Sequence, residues 1–347
     1  MLRRLLLAAL IALPPATAAA GDLTAKAAGE VVDQLVGHMD SYMDPKVAAA
    51  VQARLKSRRD AYLGLDTRTA FAAAVSRDMY EVSHDGHLKV SLETGDASRG
   101  ARLTEEQQRL VDRRLAYGMM AIRRLPGNIG LLKISYFEQD DAGARLMNTA
   151  MDLLQDTDAL IIDLRANRGG GGASDEALLG HLSRTPIPMA TVHWRTQGGG
   201  TEVMQRAPTP PKSGPLYADK PVFLLTSHFT FSAAEEFAYD LQAAGRAVLI
   251  GETTGGGANP SNRPFRLDYG FRVFIPTGKV VHPTTGGNWE GVGVKPDVAV
   301  PVDQALTQAY TRALAAAKPL VSTPRSEAER NRAIADPRTA LLEDQAL

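Results

Sequence analysis

Apolar residues recur at helical spacing through residues 22–80: Val31, Val32, Leu35 and Val36, then Val47, Val51 and Leu55, then Phe71, Val75 and Met79. Positions three and four apart share a helix face, so the pattern predicts about three short amphipathic helices forming a small bundle. Met43-Asp44-Pro45 and Gly64-Leu65-Asp66-Thr67 supply the breaks between them. A further helical pattern opens at the capping box Thr104-Glu105-Glu106-Gln107 and is expected to run to about Arg123. Leu125-Pro126-Gly127-Asn128 is read as its end.

From Ile129 the period changes. Ile129 to Phe137 reads as a strand, Asp141 to Leu154 as a helix, Ala159 to Leu164 as a buried strand and Ser174 to Leu182 as a helix. Strands follow at 189–194 and 221–226, then a helix from Ala233, then strands at 247–250, 265–268, 271–275 and 297–300, with a closing helix after Asp303. Such alternation predicts an α/β core whose parallel strands are covered on both faces. The expected division is a signal peptide over 1–20, a helical cap over 21–90, a helical connector over 91–127, the α/β core over 128–318, and a loosely held polar tail with some helix over 319–347.

The leader reading rests on Arg3 and Arg4, the apolar run Leu5 to Leu13, and the small residues Ala18 to Ala20. It implies export to the periplasm or exterior, with cleavage near Ala20, and no later run is long enough to span a bilayer. The 347 residues contain no cysteine, which excludes disulfides and a thiol nucleophile. Basic and acidic residues balance at 39 each without a basic stripe, so nucleic acid is not an expected partner.

Three segments carry candidate chemistry. In Pro221–Gly245 a β-prone run enters a polar turn, and Ser232 stands where a helix begins. A hydroxyl there lies beside free N–H groups and the positive end of the helix dipole, which suits a nucleophile and its oxyanion. Ser232-Ala233-Ala234-Glu235 is equally a capping box, so the local sequence leaves both readings open. The second segment, Ala159 to Ser174, runs a buried strand into four glycines, Gly169 to Gly172. Consecutive glycines can turn their N–H groups into an anion nest. The lysine of a P-loop and the dinucleotide-binding spacing are both missing, which leaves an oxyanion hole or a plain tight turn. The third, Trp289 to Asp297, carries Glu290, either the orienting partner of a base or a solvated turn residue. His84-Asp85-Gly86-His87 is the one clustered histidine pair, too sparse in ligands for a metal site, and His87 can be read as a general base or as part of a helix C-terminus.

Five segments, in order, resemble the C-terminal-processing, or tail-specific, serine peptidase family: residues 125–137, 160–172, 221–238, 248–257 and 289–300. The N-terminal stretch through residues 82–90 is similar to the helical cap of the branch that includes tricorn and interphotoreceptor retinoid-binding protein domains. The resemblance implies a crotonase/Clp-protease-like α/β core with an N-terminal helical-bundle cap. It implies Ser232 as nucleophile, with the N–H groups of Ala233 and of Gly169 or Gly170 as oxyanion hole. Dyad-type members carry a lysine where this chain has Gly257, so that base is excluded at this position. The tricorn-like branch implies His87 as base and Glu290 as its orienting partner. A serine precedes the histidine in tricorn relatives, whereas this chain has Gly86, with Ser83 as a conceivable substitute. The stretch between His87 and Ile129 is too short for the PDZ domain that many members carry, so substrate selection is expected in the core groove, the cap and the segment 196–218, read as a mobile loop. The expected substrate is a peptide or unfolded protein, with no metal or cofactor and an oligomeric state the sequence leaves open. The retinoid-binding relatives imply a rival reading, a non-catalytic binder of apolar ligands or unfolded peptides. An enoyl-CoA-type reaction is a weaker third, because it needs no serine-centred triad.

Overall fold

The computed structural model describes residues 22–93, 103–196, 198–211 and 214–345. The leader reading lies in residues outside that set. The cap consists of α1 (Ala25–His38), α2 (Pro45–Ser57), α3 (Arg59–Leu63) and α4 (Arg68–Ser83), followed by β1 (Lys89–Leu92). Next come α5 (Glu105–Arg114), the strands β2 (Met119–Leu125) and β3 (Ile129–Ile134), α6 (Asp141–Leu154), β4 (Ala159–Asp163) and α7 (Ala173–Leu182). Strands β5 (Thr191–Arg195), β6 (Thr201–Met204) and β7 (Val222–Thr226) lead to α8 (Ala233–Ala243). The chain closes with β8 (Val248–Gly251), β9 (Phe265–Arg266), β10 (Phe271–Phe274), β11 (Gly278–Val281), β12 (Val298–Ala299), α9 (Ala305–Ala316), α10 (Pro324–Ala335) and α11 (Pro337–Gln345).

The central sheet has the order β12-β8-β7-β4-β3-β2, parallel except for the edge strand β2. Successive side chains on a strand point to opposite faces, and the core divides accordingly. Leu132, Leu160, Ile162, Val222 and Leu224 pack with α6, α7 and α8 on one face. Leu131, Ala159, Ile161, Phe223 and Leu225 pack with α9, α10 and α11 on the other. Both faces being covered explains why β4 and β7 read as continuous apolar runs. The cap's core is not closed by its own helices: Phe265, Phe271 and Val273, from the three-stranded sheet β1-β10-β9, and Leu267 and Ile275, just beyond its strands, complete it.

Four expectations need correction. Residues 91–127 are not a helical connector: α5 stops at Arg114, because Ala116, Tyr117 and Gly118 all take positive φ, and Met119–Leu125 then pairs with β3. A Cβ on Gly118 would stand 2.3 Å from the Tyr136 carbonyl oxygen, so only glycine passes that point. Gly127 and Asn128, read as a helix end, instead form the positive-φ corner of the β2–β3 hairpin. The segment 196–218 contains β6, paired with β5, and its Arg206 is clamped by three carboxylates. The tail is docked: Ala333 and Leu341 are buried in the α9 face, and Glu329 accepts from the Gly127 N–H at 2.9 Å and from Arg124 at 3.1 Å.

Candidate active site

Ser232 sits at the N-terminus of α8 with φ 58 and ψ −126, a conformation that a side-chain-bearing residue adopts only under strain. Its hydroxyl makes no cap hydrogen bond. Thr104, at the other capping-box sequence, accepts the Gln107 N–H on its hydroxyl at 3.1 Å, whereas the Glu235 N–H goes to the backbone oxygen of Ser232 at 2.8 Å, so the two boxes are used differently. The Ser232 N–H donates to Glu235 at 2.9 Å. That carboxylate is fully buried and also accepts from the N–H groups of Gly256 at 2.7 Å and Gly257 at 2.8 Å, and from the Thr254 hydroxyl. Burial pushes Glu235 above the usual carboxylate range. The carboxylate therefore ties the serine's own turn to the loop 254–257.

The glycine loop after β4 closes on the same point. Asn167, fully buried, accepts the Phe231 N–H on its backbone oxygen at 3.1 Å and the Gly169 N–H on its side chain at 2.8 Å. The Gly169 N–H is thereby engaged, whereas those of Gly170 and Ala233 donate to no group among the described residues. A Cβ on Gly169 would stand 2.7 Å from Ser232 Cβ, and one on Gly171 would stand 2.9 Å from Ala233 Cβ. Both glycines have positive φ, so the close approach and the backbone turn make the same demand.

His87 lies in the turn between α4 and β1, 7% exposed, its ring 4.6 Å from that of Phe231 and 5.2 Å from that of Phe274. Phe231 immediately precedes Ser232, so the imidazole rests on the wall of the serine's turn. Burial, helped by Lys89, pushes His87 down to about 4, which keeps it neutral at ordinary pH. Its Nδ1 is buried and has no hydrogen-bond partner among the described residues. Asp85, His87 and Glu290 each offer an atom within 4.8 Å of the other two. Glu290 accepts from the N–H groups of Gly86 at 3.2 Å, Ala258 at 2.7 Å and Asn259 at 2.9 Å, and burial followed by repulsion from Asp85 pushes it up to about 7. Asp85 accepts from the His87 backbone N–H at 2.9 Å and from the Tyr42 hydroxyl at 2.9 Å. All four carboxylate oxygens thus already accept a hydrogen bond. Ser83 is spent on the turn, its hydroxyl accepting from the Asp85 N–H at 3.1 Å.

Residues 128–300 match the model of peptidase family S41. The chain belongs to peptidase family S41. It is accordingly a serine-type peptidase. Solved structures share the fold of this S41 peptidase at low identity. A candidate peptidase from Parabacteroides merdae superposes with a TM-score of 0.58 at 18% identity, covering 86% of this chain and 100% of that one. A lipoprotein from Streptococcus agalactiae gives 0.52 at 17%, covering 89% and 99%. The tricorn protease gives 0.52 at 15%, covering 82% of this chain and 35% of its own.

The candidate site of the S41 peptidase also contains residues that the sequence does not mark. Glu235 was legible only as a capping partner, and Asn167 only as part of a turn. Asp85 stood inside the histidine cluster, but its link to Tyr42 spans two cap elements and leaves no local pattern. No helix among the described residues is long and apolar enough to cross a membrane.

Proposed function

We propose that this S41 peptidase is exported and cleaves unstructured peptides or protein tails through an acyl-enzyme on Ser232. The supporting observation is the strained, uncapped Ser232, packed against the glycine loop and one residue from Phe231, on whose ring the buried neutral imidazole of His87 rests. In this reading Ser232 Oγ attacks the scissile carbonyl carbon while His87 takes its proton. The tetrahedral oxyanion is held by the N–H groups of Ala233 and Gly170, Gly169 being committed to Asn167. His87 then gives the proton to the leaving amine, the C–N bond breaks, and water hydrolyses the ester by the same route in reverse. Glu290 receives the Nδ1 proton side of the ring and stabilises the imidazolium, a contact that a small closure of the 84–91 turn would complete. Selection by the core groove and cap, without a PDZ module, and export directed by residues 1–20 belong to the same proposal.

The test compares wild type with Ser232→Ala on a denatured protein and on quenched fluorescent peptides. Loss of about 10⁴-fold or more in kcat supports the assignment. Full activity in the alanine variant would sink it, and tight binding of apolar ligand with no turnover in wild type would favour the binding-protein reading.

A further inference from the structure

The sheet β1-β10-β9 turns one face to the cap core and the other outward. Val90, Phe265, Phe271 and Val273 are buried against the cap, so alternation places Lys89, Ser91, Arg272, Phe274 and Arg266 on the outer face. That face floors an open groove of about 520 Å³ whose wall includes Arg263. The register sets Ser91 opposite Arg272, and Arg272 opposite Arg266. Two like charges directly opposite on one sheet face destabilise the pairing. Glu93 compensates Arg266 at 3.3 Å. Arg272 donates through Nε to Ser91 Oγ at 2.9 Å, and Arg263 donates to Ser41 at 2.6 Å, neither to a carboxylate. Lys89 has no acidic partner among the described residues, its ammonium standing 6.0 Å from the Phe231 ring centre. Among the described residues, four cations thus line the groove with a single carboxylate.

The groove opens beside the proposed chemistry. Lys89 follows His87 by two residues, Phe274 stacks on the imidazole, and Phe231 adjoins Ser232. A neighbouring cavity that shares Asn262 and Arg263 is lined by Arg195 as well as by Asp40 and Glu202, so its charge is mixed. Capture of a chain terminus relies on converging backbone N–H groups. Here the N–H groups that β1, β10 and β9 turn to one another are spent in the ladder, and the positive charge of the groove comes from side chains.

We propose that this groove binds acidic side chains of the substrate next to the scissile bond, making the enzyme selective for anionic peptide segments. The idea rests on the peptidase reading above. Charge-assisted hydrogen bonds from Arg272 and Lys89 to Glu or Asp would relieve the unpaired positive charge and fix the register of the peptide.

The experiment uses the full chain and paired fluorogenic peptides, acetylated and amidated, that differ only in two Glu or two Gln beside the cleavage point. The acidic peptide should show roughly tenfold or more higher kcat/KM, shrinking with added salt. Arg272→Gln should reduce that ratio and Arg272→Lys should restore it, with circular dichroism checking the fold of each variant. Fluorescence anisotropy on Ser232→Ala reads binding without turnover. Equal kcat/KM and equal binding for the pair, or a preference that follows a free C-terminal carboxylate instead of side-chain charge, would overturn the proposal. Charge-selective binding with no cleavage of any peptide by wild type would instead overturn the peptidase assignment and leave the groove standing.

Discussion

Gly257 and His87 compete for one volume. A Cβ built on Gly257 would lie 2.8 Å from His87 Cε1 and 2.1 Å from Phe231 Cζ. Gly257 occupies the place at which the resemblance puts the lysine of dyad-type relatives, so the two bases exclude each other sterically as well as chemically. The backbone of Gly257 is not among those at positive φ, and the prohibition is therefore one of space alone. Gly257→Ala is expected to push the imidazole aside, lowering kcat/KM by about 100-fold at a stability cost of about 1–3 kcal/mol. Steady-state kinetics with a denaturation curve checks this, and wild-type kinetics in a folded variant would mean that His87 does not act from this position.

Ser232 stores strain that function alone would justify. Its φ of 58 and ψ of −126 are costly for serine and free for glycine. Ser232→Gly should therefore stabilise the fold relative to Ser232→Ala by about 1 kcal/mol, both variants being inactive. Urea midpoints of the two, at unchanged m-value, decide it; an alanine variant as stable as the glycine one would remove the strain argument.

The central sheet was readable because burial on both faces makes its strands uniformly apolar, and because the 3.6-residue period of its helices is unbroken. The connector was misread for a local reason: Ala116, Tyr117 and Gly118 reverse the chain through positive φ, and two of the three are residue types that carry no such signal. The tail was misread because its polar surface hides only a few core residues, Ala333 and Leu341, and a docking carboxylate, Glu329. Ser232, His87 and Glu290 enter as candidates through residue type and the order of the resembling segments. The contacts that hold their surroundings leave no local pattern, since Glu235, Asn167 and Tyr42 act through distant backbone and side-chain atoms.

The pH dependence should be set by Glu290 more than by His87. The imidazole must be neutral to accept a proton, and at about 4 it is neutral throughout the working range. Glu290 must be ionised to stabilise the imidazolium, and at about 7 it loses that charge as pH falls through neutrality. The acid limb of kcat/KM is thus expected nearer 7 than 4, as a property of the coupled Asp85–Glu290 pair. Asp85→Asn removes the repulsion that raises Glu290, so the limb should move to lower pH. A pH–rate profile of the variant that stays in place or moves upward would contradict this.

Arg206 holds three carboxylates at once: Asp175 at 2.6 Å, Glu176 at 2.8 Å and Glu236 at 3.2 Å. It thereby fastens the strap after β6 across the first turns of α7 and α8, with Nη1 only 3.9 Å from where a Cβ on Gly171 would stand. Arg206→Met leaves buried negative charge uncompensated, which costs about 3–5 kcal/mol when those groups are ionised. Burial, with Asp175 and Glu176 as neighbours, already pushes Glu236 up to about 7 against the pull of Arg206. Without the cation the acids rise further, so the folded variant takes up protons that its unfolded chain does not. Its stability should then recover relative to wild type as pH drops from 8 toward 5. Denaturant midpoints at those two pH values test the sign. A deficit of equal size at both would assign the loss to packing of the arginine stem, and a deficit that grows at low pH would reverse the electrostatic account of the strap.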